Sequence, residues 1–361
     1  LLRFIETDDE EQLRQAPSMI RTSIRTHADR HGFVDYRSTH GAVHGAKKVM
    51  DQAYAAWEQS RPIHAVNLIL LVVGEMVDLL QAADDSSGII GGVIERGQET
   101  VKMILEQADL HPDERGTLFE TLLQEGLHVR YDGWADWRLD YLEACSLIAD
   151  KPELRERWDK VIAQLAAAER ASSQGSSYLL DKLYEIRYAT ILRHQGEAKA
   201  QAFVEQNLSI PFFREIRIQR AVHEKDHEHV VRLAADGEAC DASMRGLVRK
   251  WKTYRYDACR QLGWMDAARE LAMEFILEGS FDHYLSLKRM YEASIWSDVY
   301  PQILFLLEQK KSQHANVYTR ILVEECEKAK LLETIRHNPA TIEYYDKFLL
   351  PEFKDEVFAL Y

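Results

Sequence analysis

Apolar residues recur at three- and four-residue steps along almost the whole chain, and no convincing run alternates with period two. Between Ser176 and His194 the stripe is Leu179, Leu180, Leu183, Tyr184, Ile186, Ile191 and Leu192. Between Asp132 and Ala149 it is Trp134, Trp137, Leu139, Tyr141, Leu142, Cys145 and Ile148. A chain patterned this way is committed to amphipathic helices packed on one another, so the expected class is all-α. Only 8 Pro and 17 Gly interrupt 361 residues, which disfavours a turn-rich β architecture. One β-branched cluster, Ser87-Gly88-Ile89-Ile90-Gly91-Gly92-Val93-Ile94, could hold a strand. Its three glycines read better as a turn that enters a helix over 93–108.

Helix starts carry the chemistry that an unpaired first turn favours. His111-Pro112-Asp113-Glu114 and Lys151-Pro152-Glu153 place proline and acids there. The polar stretch 170–177 is the best boundary, giving an irregular helical region over 1–171, a hinge at 172–177 and a repeat region over 178–361. In the repeat region, Tyr188-Ala189, Leu192, Gly196, Ala200 and Phe203 are echoed by Tyr256, Ala258, Leu262-Gly263, Ala267-Ala268 and Leu271. Turns near Gly196, Asp226, Gly263, Ser294 and Lys328 are spaced by 30, 37, 31 and 34 residues. That spacing lies near the ~34 of tetratricopeptide repeats and implies an α-α superhelix of stacked helix pairs.

Charge and cysteine usage exclude some classes. A net charge of −14 argues against a surface that coats nucleic acid or anionic lipid throughout. The four cysteines, Cys145, Cys240, Cys259 and Cys326, lie far apart with no CxxC or CxC, so a reducing, cytoplasmic setting is expected. The apolar run Ala65–Gly74 is shorter than the ~20 residues of a membrane span and reads as a core helix. No membrane association is expected.

Several stretches resemble the long helical region of bacterial SWIM zinc finger family proteins. They are Arg30-His31-Gly32-Phe33-Val34-Asp35-Tyr36-Arg37, Glu75–Leu80 with Asp84–Gly88, Tyr131–Arg138, and the tail from Trp296 to Tyr361 with Tyr300-Pro301. The resemblance runs from roughly Thr26 to the C-terminus. It implies a helical module that recruits or regulates, attached to a CxC…CxH zinc finger that contacts nucleic acid or protein. No such cysteine pair exists in this chain, so no zinc ligand carries over. The first residue is not Met, so the chain is expected to be either a fragment or a processed chain; a finger, and its zinc, if the full-length protein has them, would lie upstream of Leu1.

Four candidate sites follow from residue type and spacing. His27, His31, His40 and His44 form two i, i+4 pairs around Asp35, a pattern able to chelate a divalent metal if the intervening turn folds the pairs together. The alternative is histidines at helix ends in water. Glu75, Asp78, Asp84 and Asp85 form an acidic cluster without EF-hand spacing, in which Asp84 or Asp85 can cap the next helix. His223, His227 and His229 flank Asp226, where the repeat reading places a solvated turn. On the helix from Arg245 to Arg260, Leu247, Trp251, Tyr254, Ala258 and Leu262 form a core face. Arg245, Arg249, Lys252, Arg255, Tyr256 and Arg260 fall on the other side, a stripe able to touch phosphates with Tyr256 stacking. Pairing with acidic helices is the alternative. Trp134 and Trp137 are read as core.

No GxSxG, Walker A, HExxH or Rossmann fingerprint occurs. The favoured reading is a non-catalytic helical-repeat interaction module with a protein partner and no cofactor. Its alternatives are a metal-dependent enzyme built on the His cluster, and direct nucleic-acid binding through the basic stripe.

Overall fold

In the computed structural model, which describes residues 2–171, 177–309 and 311–361, the periodicity is realised as helices throughout. Among the described residues there is no strand, only one isolated bridge between Val34 and Ala83. The fold is all-α. The chain divides into two compact units, Leu1–Gln206 and Asn207–Tyr361.

The first unit contains α1 (Leu2–His27), α2 (Thr39–Ala42), α3 (His44–Glu58), α4 (Pro62–Leu80), α5 (Ile89–Gln107), α6 (Pro112–Gly126), α7 (Ala135–Leu147), α8 (Pro152–Ala171), α9 (Ser177–Gln195) and α10 (Glu197–Gln206). A 3-10 turn, Val129–Tyr131, links α6 to α7. The expected core helix is α4, with α1, α3 and α5 packed against it. By length and composition α4 could cross a membrane, but its apolar window is 67% buried inside the unit. Its approach to α5 is close. A Cβ on Gly97 would lie 2.6 Å from Val73 Cγ2, so the glycine lets the two helices meet.

Helix α5 starts at Ile89, earlier than the expected 93, and absorbs Gly91 and Gly92 into its first turns. The reason is Asp85, whose carboxylate accepts hydrogen bonds from Ile90 N (2.9 Å) and Gly91 N (2.8 Å). It satisfies two of the donors that a helix start leaves unpaired. The expected hinge at 172–177 falls outside the described residues apart from Ser177, which opens α9. Helix α9 buries Leu183 and Ile186 in the first unit's core, and His194 Nε2 meets Ser146 O at 2.7 Å. The repeat resembling Tyr188–Phe203 therefore belongs to the first compact unit, and the boundary between units follows it.

The second unit contains α11 (Pro211–His223), α12 (His227–Cys240), α13 (Arg245–Leu262), α14 (Met265–Leu277), α15 (Phe281–Lys288), α16 (Ala293–Glu308), α17 (Lys311–Glu324), α18 (Lys328–Arg336), α19 (Asp346–Leu349) and α20 (Lys354–Phe358). From α11 to α15 each helix packs on the next, as do α16, α17 and α18, the nearest-neighbour order of a repeat array. Four connections share one geometry. Lys225, Gly263, Gly279 and Cys326 adopt left-handed φ values of 61°, 73°, 98° and 57°. The following N–H then reaches back five residues: Asp226 to Ala221 O, Trp264 to Cys259 O, Ser280 to Phe275 O and Glu327 to Leu322 O, all within 2.8–2.9 Å. This is the Schellman closure, and the residue that completes it is also the N-cap of the next helix. The turns expected near Asp226, Gly263 and Lys328 are three of these.

Candidate functional site

Helix α13 sits in the middle of this array, and its position decides what the basic stripe does. Trp251 and Ala258 enter one core cluster with Ile218, Val230 and Ala234, as the apolar face requires. Tyr256 and Cys259 enter a second cluster with Leu271, Phe275 and Tyr284. Both faces of α13 are therefore covered, one by α12 and one by α14.

The stripe is consequently split. Tyr256 is only 3% exposed, edge-on to Phe275 (6.0 Å) and His283 (5.0 Å), so it is a core residue and offers no stacking face to a base. Arg255 grips Glu238 of α12 through Nε (2.7 Å) and Nη2 (2.8 Å). Lys252 pairs with Glu274 of α14 at 2.6 Å, and that hydrogen bond holds its ammonium above the usual amine range. Two of the expected phosphate ligands thus fasten α13 to its neighbours in opposite directions. Arg245, Arg249 and Arg260 stay exposed. Arg260 lies over the Tyr256 ring, while Arg245 and Arg249 have no carboxylate partner among the described residues.

A group that the sequence did not single out anchors the other face of α13. Arg214 of α11 and Asp241, just after α12, are 2% and 3% exposed. Asp241 Oδ2 accepts from Arg214 Nη1 at 2.6 Å and from Trp251 Nε1 at 2.7 Å, and the guanidinium lies 5.6 Å from the indole. Gly237 makes room for them. Any Cβ there would lie 2.8–2.9 Å from Trp251 and Arg214 side-chain atoms. Nothing in the local pattern marks Arg214 and Asp241 as buried, because charged residues at helix ends are ordinarily solvated.

The histidine constellation does not form. Among the described residues no three His, Cys, Asp or Glu side chains converge as a metal-binding group. His27 Nδ1 is bound to Ser23 O at 2.9 Å, and its ring lies against Gly41. His31 accepts from Arg30 Nε at 3.0 Å, while His40 and His44 are exposed. The intervening turn is committed elsewhere. Asp35 accepts from Arg37 N and Ser38 N, and Val34 is bonded on both sides of Ala83, through Ala82 O (2.9 Å) and Asp84 N (2.8 Å). The chain does bring the end of α1 against α2, but the four rings do not gather as a ligand set. These residues do not fit a bound metal.

The acidic cluster also separates. Asp84 closes a turn on Ser86, and Asp85 caps α5. Glu75 and Asp78 line a cleft of about 550 Å³ between α1, α4, α6 and the 3-10 turn, together with Leu13, Pro17, Arg21, Asn67, Leu70, Leu71, Thr121, Glu125 and Arg130. Asp226 caps α12 by accepting from His229 N, which places the three nearby histidines around a turn as expected. Tyr131 is buried and donates to Glu125 at 2.7 Å, but Trp134, expected in the core, is 40% exposed and stacks on Trp137.

No family model and no curated protein matches this chain. Among solved structures, it is similar to a circular tandem repeat protein with novel repeat topology and enhanced subunit contact surfaces. The two are 13% identical over 99% of this chain and 95% of that one, with a TM-score of 0.30.

Proposed function

We propose that this chain is a non-catalytic helical-repeat interaction module that holds a protein partner in a regulatory or scaffolding role. The observation that supports this reading is the packing of α13. Its two faces are consumed by neighbouring helices, so a partner meets the edges and ends of the array. On the α13 edge, Arg245 and Arg249 stand one turn apart, exposed and without a carboxylate partner among the described residues, beside the exposed Met244. A long side chain with a delocalised cation is suited to a partner's carboxylates. The four cysteines are all free, which supports placing the module in a reducing compartment such as the cytoplasm.

The SWIM-type resemblance extends the proposal. A zinc-binding finger of the kind that resemblance implies would supply contact with nucleic acid, and this module would recruit a protein to it. Direct phosphate binding by the stripe has less support, because Lys252 and Arg255 are already paired and Tyr256 is buried.

The test is cross-linking of the purified chain in cell extract, with the captured proteins identified by mass spectrometry, for the wild type and for Arg245→Glu with Arg249→Glu. Both side chains are exposed, so the double variant is expected to fold normally and to lose a defined partner. An unchanged set of captured proteins would refute the α13 edge as the docking surface.

A further inference from the structure

A second cleft of the first unit, of about 460 Å³, lies between α3 and α5. Short connections return the chain from α3 to α4 and from α4 to α5, so α3 and α5 run parallel on the two sides of α4. The Tyr54 hydroxyl meets Thr100 Oγ1 at 3.0 Å and fixes their register. Two turns earlier on both helices, Lys47 is level with Val93, and Met50 is level with Arg96. The buried Met50 and Val93 form an apolar floor with Ile89. The space above that floor exists because α5 carries glycine where it faces α3. Gly92 lines the cleft, and a Cβ there would meet nothing within 4 Å.

Three charges surround the floor. Lys47 and Asp51 stand one turn apart on α3, and Arg96 faces them from α5. All three are exposed, and none forms an ion pair among the described residues. The first turn of α5 adds no charge recognition, because Asp85 already accepts from Ile90 N and Gly91 N. Recognition therefore falls to one carboxylate beside two cations, next to an apolar surface of limited size.

We propose that this cleft binds a free α-amino acid with a large apolar side chain. Its ammonium meets Asp51, its carboxylate lies between Lys47 and Arg96, and its side chain rests on Met50, Ile89 and Val93 in the space left by Gly92. An α-amino acid carries its opposite charges on neighbouring groups, as the cleft does with the signs reversed. The ammonium supplies donors to Asp51, and the carboxylate accepts from the two cations. A simple anion would meet Asp51, and a simple cation would meet Lys47 and Arg96. A neutral apolar ligand would desolvate all three charges without compensation. The site lies in the first unit and does not rest on the α13 edge.

The full chain is titrated calorimetrically with L-phenylalanine and L-leucine, and with the N-acetyl and the amide form of each. At least one free amino acid is expected to saturate, with both of its blocked forms about tenfold weaker through loss of a charge contact. Asp51→Asn should erase the preference for the free amino acid over its N-acetyl form. Arg96→Gln should erase the preference over the amide. A merely structural role for either residue would not produce those pairings of variant and ligand. Gly92→Leu fills the space above the floor, so it should abolish binding while raising Tm, since leucine favours a helix over glycine. The proposal is overturned if neither amino acid saturates up to about 10 mM, if the blocked forms bind like the free ones, or if Asp51→Asn or Gly92→Leu binds as the wild type does.

Discussion

Replacing Asp241 by alanine tests whether the second unit depends on the buried charge cluster at α13. The Asp241 side chain is 5% exposed, and one of its oxygens accepts both the Arg214 and Trp251 hydrogen bonds. Its removal leaves the buried Arg214 side chain, 3% exposed, with no counter-charge, and breaking a buried pair from one side costs about 3–5 kcal/mol. The Trp251 indole N–H loses its acceptor at the same time, a penalty of about 1–3 kcal/mol. The two losses share one oxygen and are not additive, so the expected total lies near the first figure. Water cannot easily enter to relieve the charge, because Gly237 already brings the backbone of α12 against both Trp251 and Arg214. Adding Arg214→Met to Asp241→Ala removes the stranded cation and should recover part of the loss, since a buried pair replaced on both sides is often neutral. The assay is urea unfolding followed by circular dichroism for the wild type, both single variants and the double variant. The reasoning is refuted if Asp241→Ala costs less than about 1 kcal/mol, the value of an ordinary hydrogen bond. It is also refuted if the double variant is as unstable as the sum of the singles.

Three further outcomes are expected. On α5 the same substitution should act in opposite directions: Gly97→Ala forces a Cβ to within 2.6 Å of Val73 and should destabilise by about 1–3 kcal/mol. Gly92→Ala meets nothing within 4 Å inside the helix and should stabilise by about 1 kcal/mol, both measured by thermal unfolding. Lys225→Gly and Cys326→Gly relieve left-handed backbone at φ 61° and 57°, and each should stabilise by about 1 kcal/mol in the same assay. Burial holds His283 below the ordinary imidazole pKa of 6.5; Arg249 and Arg260 act the same way, and Asp257 and Asp282 oppose them. Its folded pKa is depressed, so its contribution to stability is present above pH 6.5 and lost as pH falls below that value. Urea midpoints at pH 7.5 and 5.5 should therefore differ less in His283→Gln than in the wild type; an unchanged difference would exclude this origin.

The helices and their turns were legible because their causes are local. Pro112 and Glu114 start α6, Asp226 caps α12, and Gly263 ends α13, each through atoms a few residues away. The apolar stripe of α13 likewise identified Trp251 and Ala258 as core from periodicity alone. What it could not reveal was the second neighbour. A helix inside an array has two partners, so the face that looked polar and basic is buried at Tyr256 and Cys259 and tied down at Lys252 and Arg255.

The histidine pairs went the same way. Their i, i+4 spacing was a fact of the sequence, but convergence depends on what each ring meets, and His27 is bound to Ser23 O while His31 accepts from Arg30. The cleft between α3 and α5 was invisible for that reason too, since Asp51 and Arg96 come from segments far apart in the chain. By itself the sequence determined where helices begin, end and bury their first face, because those are short-range matters of hydrogen bonding and hydrophobic spacing. Tertiary structure alone decided which charges are spent between helices and which remain free for a ligand, because that depends on what each helix meets across the fold.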